Sequence, residues 1–218
     1  MRRTWVFVLA CVTFAGVVWL LRPNRSPEPA VGPPPGPRLI AEEPSPTPLP
    51  APLAASDPHP LPEVLIDPSV VVEKGRRALT VYSDGHAVKV YRIALGREPA
   101  GDKEVEGDGK TPEGEFYVCL KNPASQFHRA LGLSYPAEDD AERGLAAGLI
   151  SSREHRQILE ALRRFAQPPW RTALGGEIMV HGGGTASDWT EGCIALDDAE
   201  AEELFDALPL GTPVTIEP

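Results

Sequence analysis

The chain has few basic residues and few cysteines, and each of these features excludes some classes of function or structure. Its 21 Lys and Arg stand against 31 Asp and Glu, a formal net charge of -10. Non-specific nucleic-acid binding requires a basic face, so we expect no nucleic-acid partner. Three cysteines without a pattern (Cys11, Cys119 and Cys193) do not make a disulfide framework, although a single Cys119–Cys193 bridge remains an alternative. No other Cys or His clusters with them at ligand spacing, so we expect no metal and no cofactor.

Proline is abundant, at 25 residues, and it is concentrated in residues 22–62. Proline fixes φ and has no N–H to donate, so this stretch favours extended, solvated chain. We therefore interpret 22–62 as a disordered, semi-rigid linker that leads to a folded domain at 63–218.

The N-terminus has the sequence pattern of a targeting signal. Residues 1–4 form a basic flank that should stay in the cytoplasm, and residues 5–21 carry no charge. The uncharged run is at the short end of what crosses a bilayer, so we predict a transmembrane signal anchor at 5–21. A cleaved signal peptide and lipidation at Cys11 are the alternatives, and each of them exports the domain.

The folded part alternates short apolar runs with Gly and Pro punctuation, which is typical of a β-sandwich or barrel. Asp84-Gly85 marks a hairpin turn between two of these runs. The predicted strands are 70–73, 78–82, 86–95, 115–120, 129–134, 177–181, 193–196 and 213–216.

Two predicted helices interrupt the strands. Ser151 and Glu154 form a capping-box signature, followed by apolar residues at helical spacing until Pro168. The second helix is predicted from Asp197 or Asp198 to about Leu208.

The chemistry is concentrated between residues 177 and 196. An apolar strand ends at His181, glycines follow, and Gly192-Cys193 leads into the next apolar strand. A cysteine beside a histidine base can attack a carbonyl and form a thioester. A main-chain carbonyl at Gly182 or Gly183 would orient the imidazole. Backbone N–H groups near Glu191, Gly192 and Cys193 would form an oxyanion hole. Spacing alone leaves an unrelated Cys and His as the more common case.

The same stretch resembles the L,D-transpeptidase catalytic domain, also called the YkuD domain. Its His-Gly and Ser/Thr-x-Gly-Cys motifs correspond to His181-Gly182 and Thr190-Glu191-Gly192-Cys193. The segments 79–85, 91–96, 107–114 and 211–214 are also similar to that family, so the resemblance extends from about Val70 to Glu217.

The resemblance implies a mainly β fold built around a sandwich, with a helical insertion and a C-terminal helix. It also implies a bacterial cysteine acyltransferase that acts on peptidoglycan stem peptides in the periplasm or cell wall space, anchored to the inner membrane. Cys193 would be the nucleophile and His181 its base, on a chain we expect to be monomeric. Weaker expectations concern the substrate groove, which would involve Tyr135, His128, Trp189 and Thr190.

Three features depart from the family pattern. Glu191 stands where many members have His, Ala195 stands where many have Arg or Asn, and the loop from His181 to Cys193 is short. A short loop favours water as an acceptor, so a hydrolase with the same chemistry is the first alternative. A non-catalytic peptidoglycan-binding module is the second. The helix near Ser151–Ala166 resembles an insertion that forms one wall of the groove.

Overall fold

The structure is a computed structural model that describes residues 54–218. It is mainly β, with three helices. The strands are β1 (Ser69–Glu73), β2 (Ala78–Ser83), β3 (His86–Arg92), β4 (Gly114–Ser125), β5 (His128–Leu133), β6 (Met179–His181), β7 (Ile194–Ala195) and β8 (Pro213–Glu217). The helices are α1 (Glu138–Ala146), α2 (Ser152–Arg163) and α3 (Asp198–Ala207).

All eight strands belong to one sheet, in the order β3-β2-β1-β8-β4-β5-β6-β7. The long strand β4 bends the sheet, because its first part pairs with β8 and its later part pairs with β5. Beyond β3, Ala94 forms an antiparallel bridge with Ala195 of β7, so the two ends of the sheet meet. One apolar core lies between the two halves of the bent sheet and includes Val72, Leu131 and Ile194.

Every predicted strand is present, with shifted ends. The Asp84-Gly85 turn joins β2 to β3, and both residues have positive φ, which suits the twist of a tight hairpin. The predicted strand 86–95 ends at Arg92, and its last residues instead make the bridge at Ala94. β4 continues to Ser125, well past its predicted end, because β5 supplies a partner along that length.

The sequence analysis identified two of the three helices. At α2, the Ser151 side chain accepts from the Glu154 N–H, and the Glu154 carboxylate accepts from the Ser151 N–H, as the capping box predicts. Helix α1 was not predicted, although its first turn is acidic and the Asp140 carboxylate accepts from the Ala137 N–H. α1 and α2 share a small separate apolar cluster around Ala141 and Ile158.

Residues 54–62, which the sequence analysis assigned to the linker, lie along β3. Asp57 N–H donates to the Val90 carbonyl, and the Ser56 hydroxyl accepts from the Arg92 N–H. β3 is the end strand in the sheet order, so these contacts cover backbone groups that an edge strand leaves open. The Leu61 N–H then donates to Glu203 on α3 at 2.6 Å.

The predicted flank at 1–4, the predicted anchor at 5–21 and most of the predicted linker at 22–62 lie outside the described residues. Within 54–218, no helix is long and apolar enough to cross a bilayer.

Candidate active site

Cys193 and His181 line the same groove, which has a volume of about 1210 Å³. Residues of β6, the end of β4 and the β4–β5 turn line it, together with residues between 170 and 178. Lys103, Glu106, Gly107 and Glu191 also line the groove. The structure therefore brings together the two residues that the motif singled out.

His181 occupies the last position of β6, where the parallel partner strand places it beside Ala195. Its Nδ1 lies 2.6 Å from the carbonyl oxygen of Gly182. A carbonyl can only accept, so Nδ1 carries the proton and Nε2 is left as the basic nitrogen. Burial lowers the pKa of His181, and the Gly182 bond opposes this only in part. The imidazole is thus held neutral and oriented, with a main-chain carbonyl as its orienting group.

Two aromatic rings fix the imidazole plane. Phe127, in the β4–β5 turn, stacks on His181 at 4.8 Å between ring centroids, with an interplanar angle of 23°. Trp189 meets His181 edge-on at 5.7 Å, and its indole N–H donates to the Gly184 carbonyl. Trp189 lies behind the histidine, whereas Phe127 lines the groove itself.

Cys193 lies at the junction between the loop and β7 and is partly exposed. Its Sγ–H donates to the carbonyl of Glu177 at 3.4 Å. Burial raises the pKa of the thiol to about 11, against a smaller opposing effect from the Met179 N–H. Burial therefore favours a neutral thiol and a neutral imidazole in the same groove. Cys193 and Cys119 are both free thiols, so the alternative disulfide is absent.

Thr190 closes the turn that presents Cys193. Its hydroxyl donates to the Cys193 carbonyl at 2.7 Å and accepts from the Gly192 N–H at 3.1 Å. Gly192 has a φ of +128°, and a Cβ there would lie 2.6 Å from the Lys110 carbonyl oxygen. The Thr-x-Gly-Cys spacing thus has a structural reason: threonine supplies the hydrogen bonds, and only glycine fits.

Of the three predicted oxyanion donors, only the Gly192 N–H is already in use, and the neighbouring glycine N–H groups of the loop are in use as well. Gly182 N–H donates to Phe127, Gly183 N–H to Asp198, and Gly192 N–H to Thr190. Within 54–218, the backbone N–H groups of Glu191 and Cys193 have no hydrogen-bond partner. These two N–H groups are therefore the remaining candidates among the predicted oxyanion donors.

Two ion pairs tie the catalytic loop to the sheet. The Asp188 carboxylate accepts from the Arg77 guanidinium at 2.6 Å and from the Leu95 N–H at 2.9 Å. Closer to the nucleophile, the exposed Glu191 side chain pairs with Arg97. The first pair is partly buried and anchors the middle of the loop, whereas the second lies at the rim.

None of the four predicted groove residues (Tyr135, His128, Trp189 and Thr190) lines the groove. Tyr135 is fully buried, packs against Phe116, and donates its hydroxyl to the Leu174 carbonyl at 3.0 Å. His128 turns toward α3, where its Nε2 lies 3.6 Å from the Glu202 carboxylate. Tyr135 is thus a core residue, and the described contact of the His128 side chain is with α3.

With the geometry established, comparison with known proteins decides the family. The profile of the L,D-transpeptidase catalytic domain (YkuD) matches residues 67–216. The chain belongs to this family.

A comparison with solved structures gave matches at low sequence identity. One is an L,D-transpeptidase from Xylanimonas cellulosilytica, with 18% identity and a TM-score of 0.41, covering 72% of this chain and 64% of that one. The helical cell shape determining protein Pgp2 from Campylobacter jejuni has 24% identity and a TM-score of 0.46, with coverages of 69% and 47%. L,D-transpeptidase 1 from Mycobacterium tuberculosis has 15% identity and a TM-score of 0.41, with coverages of 69% and 62%.

The chain therefore spans about half to two thirds of the length of these structures. A search of curated protein sequences found no match.

One wall of the groove is built by the helical region. Leu149 and Glu154 line the groove from the connection between α1 and α2 and from the start of α2. The segment that follows α2 adds Trp170, Arg171 and Thr172 to the same wall.

The two departures from the family motif occupy different surroundings. Glu191 is on the rim, paired with Arg97, while Ala195 is fully buried and bridged to Ala94. A long polar side chain at position 195 has no room in this packing. The position that many members give to Arg or Asn is therefore part of the core here.

The sequence analysis missed Phe127 and Lys103. Phe127 follows Gln126 in an exposed turn, and only the pairing of β4 with β5 brings that turn over the histidine. Lys103 lies in a stretch rich in acidic residues, and the structure shows that it is buried and lines the groove. From the sequence alone, a pairing of Lys103 with Asp108 could not be distinguished from a pairing with any of the neighbouring acidic residues.

Proposed function

We propose that this protein is a peptidoglycan L,D-transpeptidase that uses Cys193 to form a thioester with a stem peptide. The observation that carries the proposal is the pairing of Cys193 with a neutral, oriented His181 in one groove. A binding module needs neither the free thiol nor the fixed tautomer. Family membership supplies the substrate class, which is the stem peptide of the cell wall.

In the proposed reaction, Nε2 of His181 takes the thiol proton as the sulfur attacks the carbonyl of the third stem residue. The N–H groups of Glu191 and Cys193 stabilise the oxyanion. The bond to the fourth residue breaks, and its amine leaves with the proton from His181. An incoming amine then attacks the thioester, gives up its proton to His181, and regenerates the thiol through that nitrogen.

Because both groups are neutral in the free protein, we place the proton transfer after substrate binding. Burial disfavours a resting thiolate and also disfavours a resting imidazolium. When a substrate carbonyl lies in the groove, the sulfur does not have to hold a negative charge, because it is neutral again once the thioester forms.

The proposed location is the periplasm or cell wall space of a bacterium, with residues 5–21 holding the chain at the inner membrane. Stem peptides are found on that side of the membrane. Protease treatment of intact spheroplasts tests this location: residues 54–218 should be degraded while the cytoplasmic flank persists.

The covalent step is tested by incubating the full-length protein with a carbapenem, which resembles an acyl donor, and measuring intact mass. The expected result is a single adduct on the wild type and none on Cys193→Ala, with Cys119→Ala as the matched thiol control. An adduct that survives Cys193→Ala contradicts the mechanism.

The acceptor is tested with purified tetrapeptide muropeptides. Cross-linked dimers support transfer to an amine, which is the proposed reaction. Tripeptide products alone indicate a hydrolase that uses the same thioester, with water as the acceptor.

A further inference from the structure

Lys103 is an unusual residue for the wall of a groove, because it is only 3% exposed. Its Nζ donates to the Val105 carbonyl at 3.0 Å and to the Asp108 carboxylate at 2.7 Å. An ammonium carries three protons, so these two bonds leave one unused. Burying a charged pair costs solvation free energy, which makes a purely structural role for Lys103 an expensive arrangement.

The segment Gly175–Glu177 connects Lys103 to the nucleophile. A Cβ at Gly175 would lie 3.5 Å from the Lys103 Cε, so the lysine stem runs along this glycine. Two residues later, the Glu177 carbonyl accepts from the Cys193 Sγ–H at 3.4 Å. Two residues span about 7 Å at most, so one short stretch of backbone contacts both side chains.

Few charged groups along the groove favour the thiolate form of Cys193. The charged or titratable groups along the groove are Lys103, Glu106, Glu154, Arg171, Glu177, His181 and Glu191. The carboxylates disfavour a thiolate, and Glu177 raises the thiol pKa. His181 is neutral, and Arg171 is exposed, so solvent screens its charge. Lys103 is the buried cation of this set, and its charge lowers the thiol pKa.

We propose that Lys103 is an electrostatic positioning residue, which stabilises the Cys193 thiolate from across the Gly175–Glu177 segment. Asp108 holds the ammonium in place, and its carboxylate also accepts from the backbone N–H groups of Glu104, Val105 and Lys110. The turn 103–110 therefore presents one fixed positive charge to the groove. This inference rests on the proposed function in one respect, since it takes Cys193 as the nucleophile.

The test measures the pH dependence of Cys193 alkylation in the full-length protein. Iodoacetamide reacts with the thiolate, and peptide mass spectrometry assigns the rate to Cys193 separately from Cys11 and Cys119. The variants are Lys103→Met, which removes the charge, and Lys103→Arg, which keeps it. Lys110→Met is the matched control, because Lys110 belongs to the same turn but is partly exposed, 3.9 Å from Glu104.

The expected result is a higher apparent thiol pKa in Lys103→Met, with Lys103→Arg and Lys110→Met close to wild type. Each unit of increase lowers the thiolate fraction at neutral pH tenfold. The more basic thiolate recovers about threefold through its greater nucleophilicity, so the rate falls about threefold per unit. An unchanged pKa in folded Lys103→Met overturns the inference.

If Lys103→Met does not fold, the same profile is measured on Lys103→Met combined with Asp108→Asn, which leaves no unpaired buried charge. The two proposals fail separately, because alkylation requires no substrate. A shifted pKa without stem-peptide activity overturns only the proposed function, and normal activity with an unshifted pKa overturns only the role of Lys103.

Discussion

The Thr190 hydroxyl holds the Cys193 carbonyl at 2.7 Å, and the same oxygen accepts from the Gly192 N–H. One side chain therefore satisfies the Gly192 N–H and the Cys193 carbonyl, which lie on either side of the Gly192–Cys193 peptide bond. Thr190 is 3% exposed, so water cannot replace these bonds.

Replacing Thr190 with Val keeps the shape of the side chain and removes its hydroxyl. We expect the free energy of unfolding to fall by about 1–3 kcal/mol, because a buried donor and a buried acceptor lose their partner. The rate of carbapenem acylation should fall as well, since the turn is no longer closed. Chemical denaturation and intact mass measure the two effects, and Thr190→Ser is the control that should restore both. Equal stability of Thr190→Val and wild type would contradict this account.

Replacing Asp188 with Ala should loosen the catalytic loop. Asp188 receives both the Arg77 guanidinium and the Leu95 N–H, and the pair is partly shielded from solvent. We expect a loss of about 1–3 kcal/mol in the free energy of unfolding, with slower acylation. The matched control is Glu160→Ala, which breaks an exposed pair with Arg164 and should cost less than about 1 kcal/mol. Similar losses of stability in both variants would show that the contacts of Asp188 stabilise the fold no more than an exposed ion pair does.

The acid limb of the acylation rate should report on His181. The base must be neutral to accept the thiol proton, so activity is lost as the pH falls through the pKa of His181. Burial lowers that pKa below its usual value of 6.5. We therefore expect the midpoint of this limb to lie below pH 6.5. Stopped-flow acylation across pH 4.5–8 measures this limb, and a midpoint above 6.5 would contradict it.

The contact between Phe127 and His181 gives a second test of the same limb. Phe127→Ala exposes the imidazole to water, which removes part of the burial that lowers its pKa. The acid limb should then move toward higher pH. Phe165→Ala is the control, because that ring is exposed and packs on Tyr117, away from the groove.

Glu203 should make the stability of the domain depend on acid pH. Burial tends to raise its pKa, but hydrogen bonds from Lys89, the Leu61 N–H and Tyr91 outweigh this and lower it. A carboxylate with a depressed pKa stabilises the fold above its unfolded pKa, and this contribution is lost as the pH falls through the folded pKa. Glu203→Gln should therefore be less stable than wild type at pH 7, and the difference should shrink below about pH 4.5. Thermal unfolding at pH 7 and pH 3.5 measures both points, and an equal difference at the two pH values would contradict the assignment.

The local pattern of the sequence was sufficient for most of the secondary structure. Alternating apolar residues and Asp84-Gly85 predict the β2–β3 hairpin, and Ser151 with Glu154 predicts the start of α2. These signals are local, because a turn or a cap is made by residues within a few positions of each other. Helix α1 also carries a local signal in its acidic first turn, and the sequence analysis overlooked it.

The motif likewise predicted the two central residues of the groove, and the family resemblance turned that pair into an expected chemistry. The sequence by itself determined the strands, the capped helix and the family, and it predicted the pairing of Cys193 with His181. The tertiary structure decided what surrounds that pair, from the ring of Phe127 to the ammonium of Lys103 and the burial of Ala195. These neighbours come from segments far apart in the chain, brought together by the pairing of β4 with β5 and by the bridge between Ala94 and Ala195. Their burial sets the pKa values of the thiol and the imidazole, and burial is a property of the packed fold rather than of any short stretch of sequence.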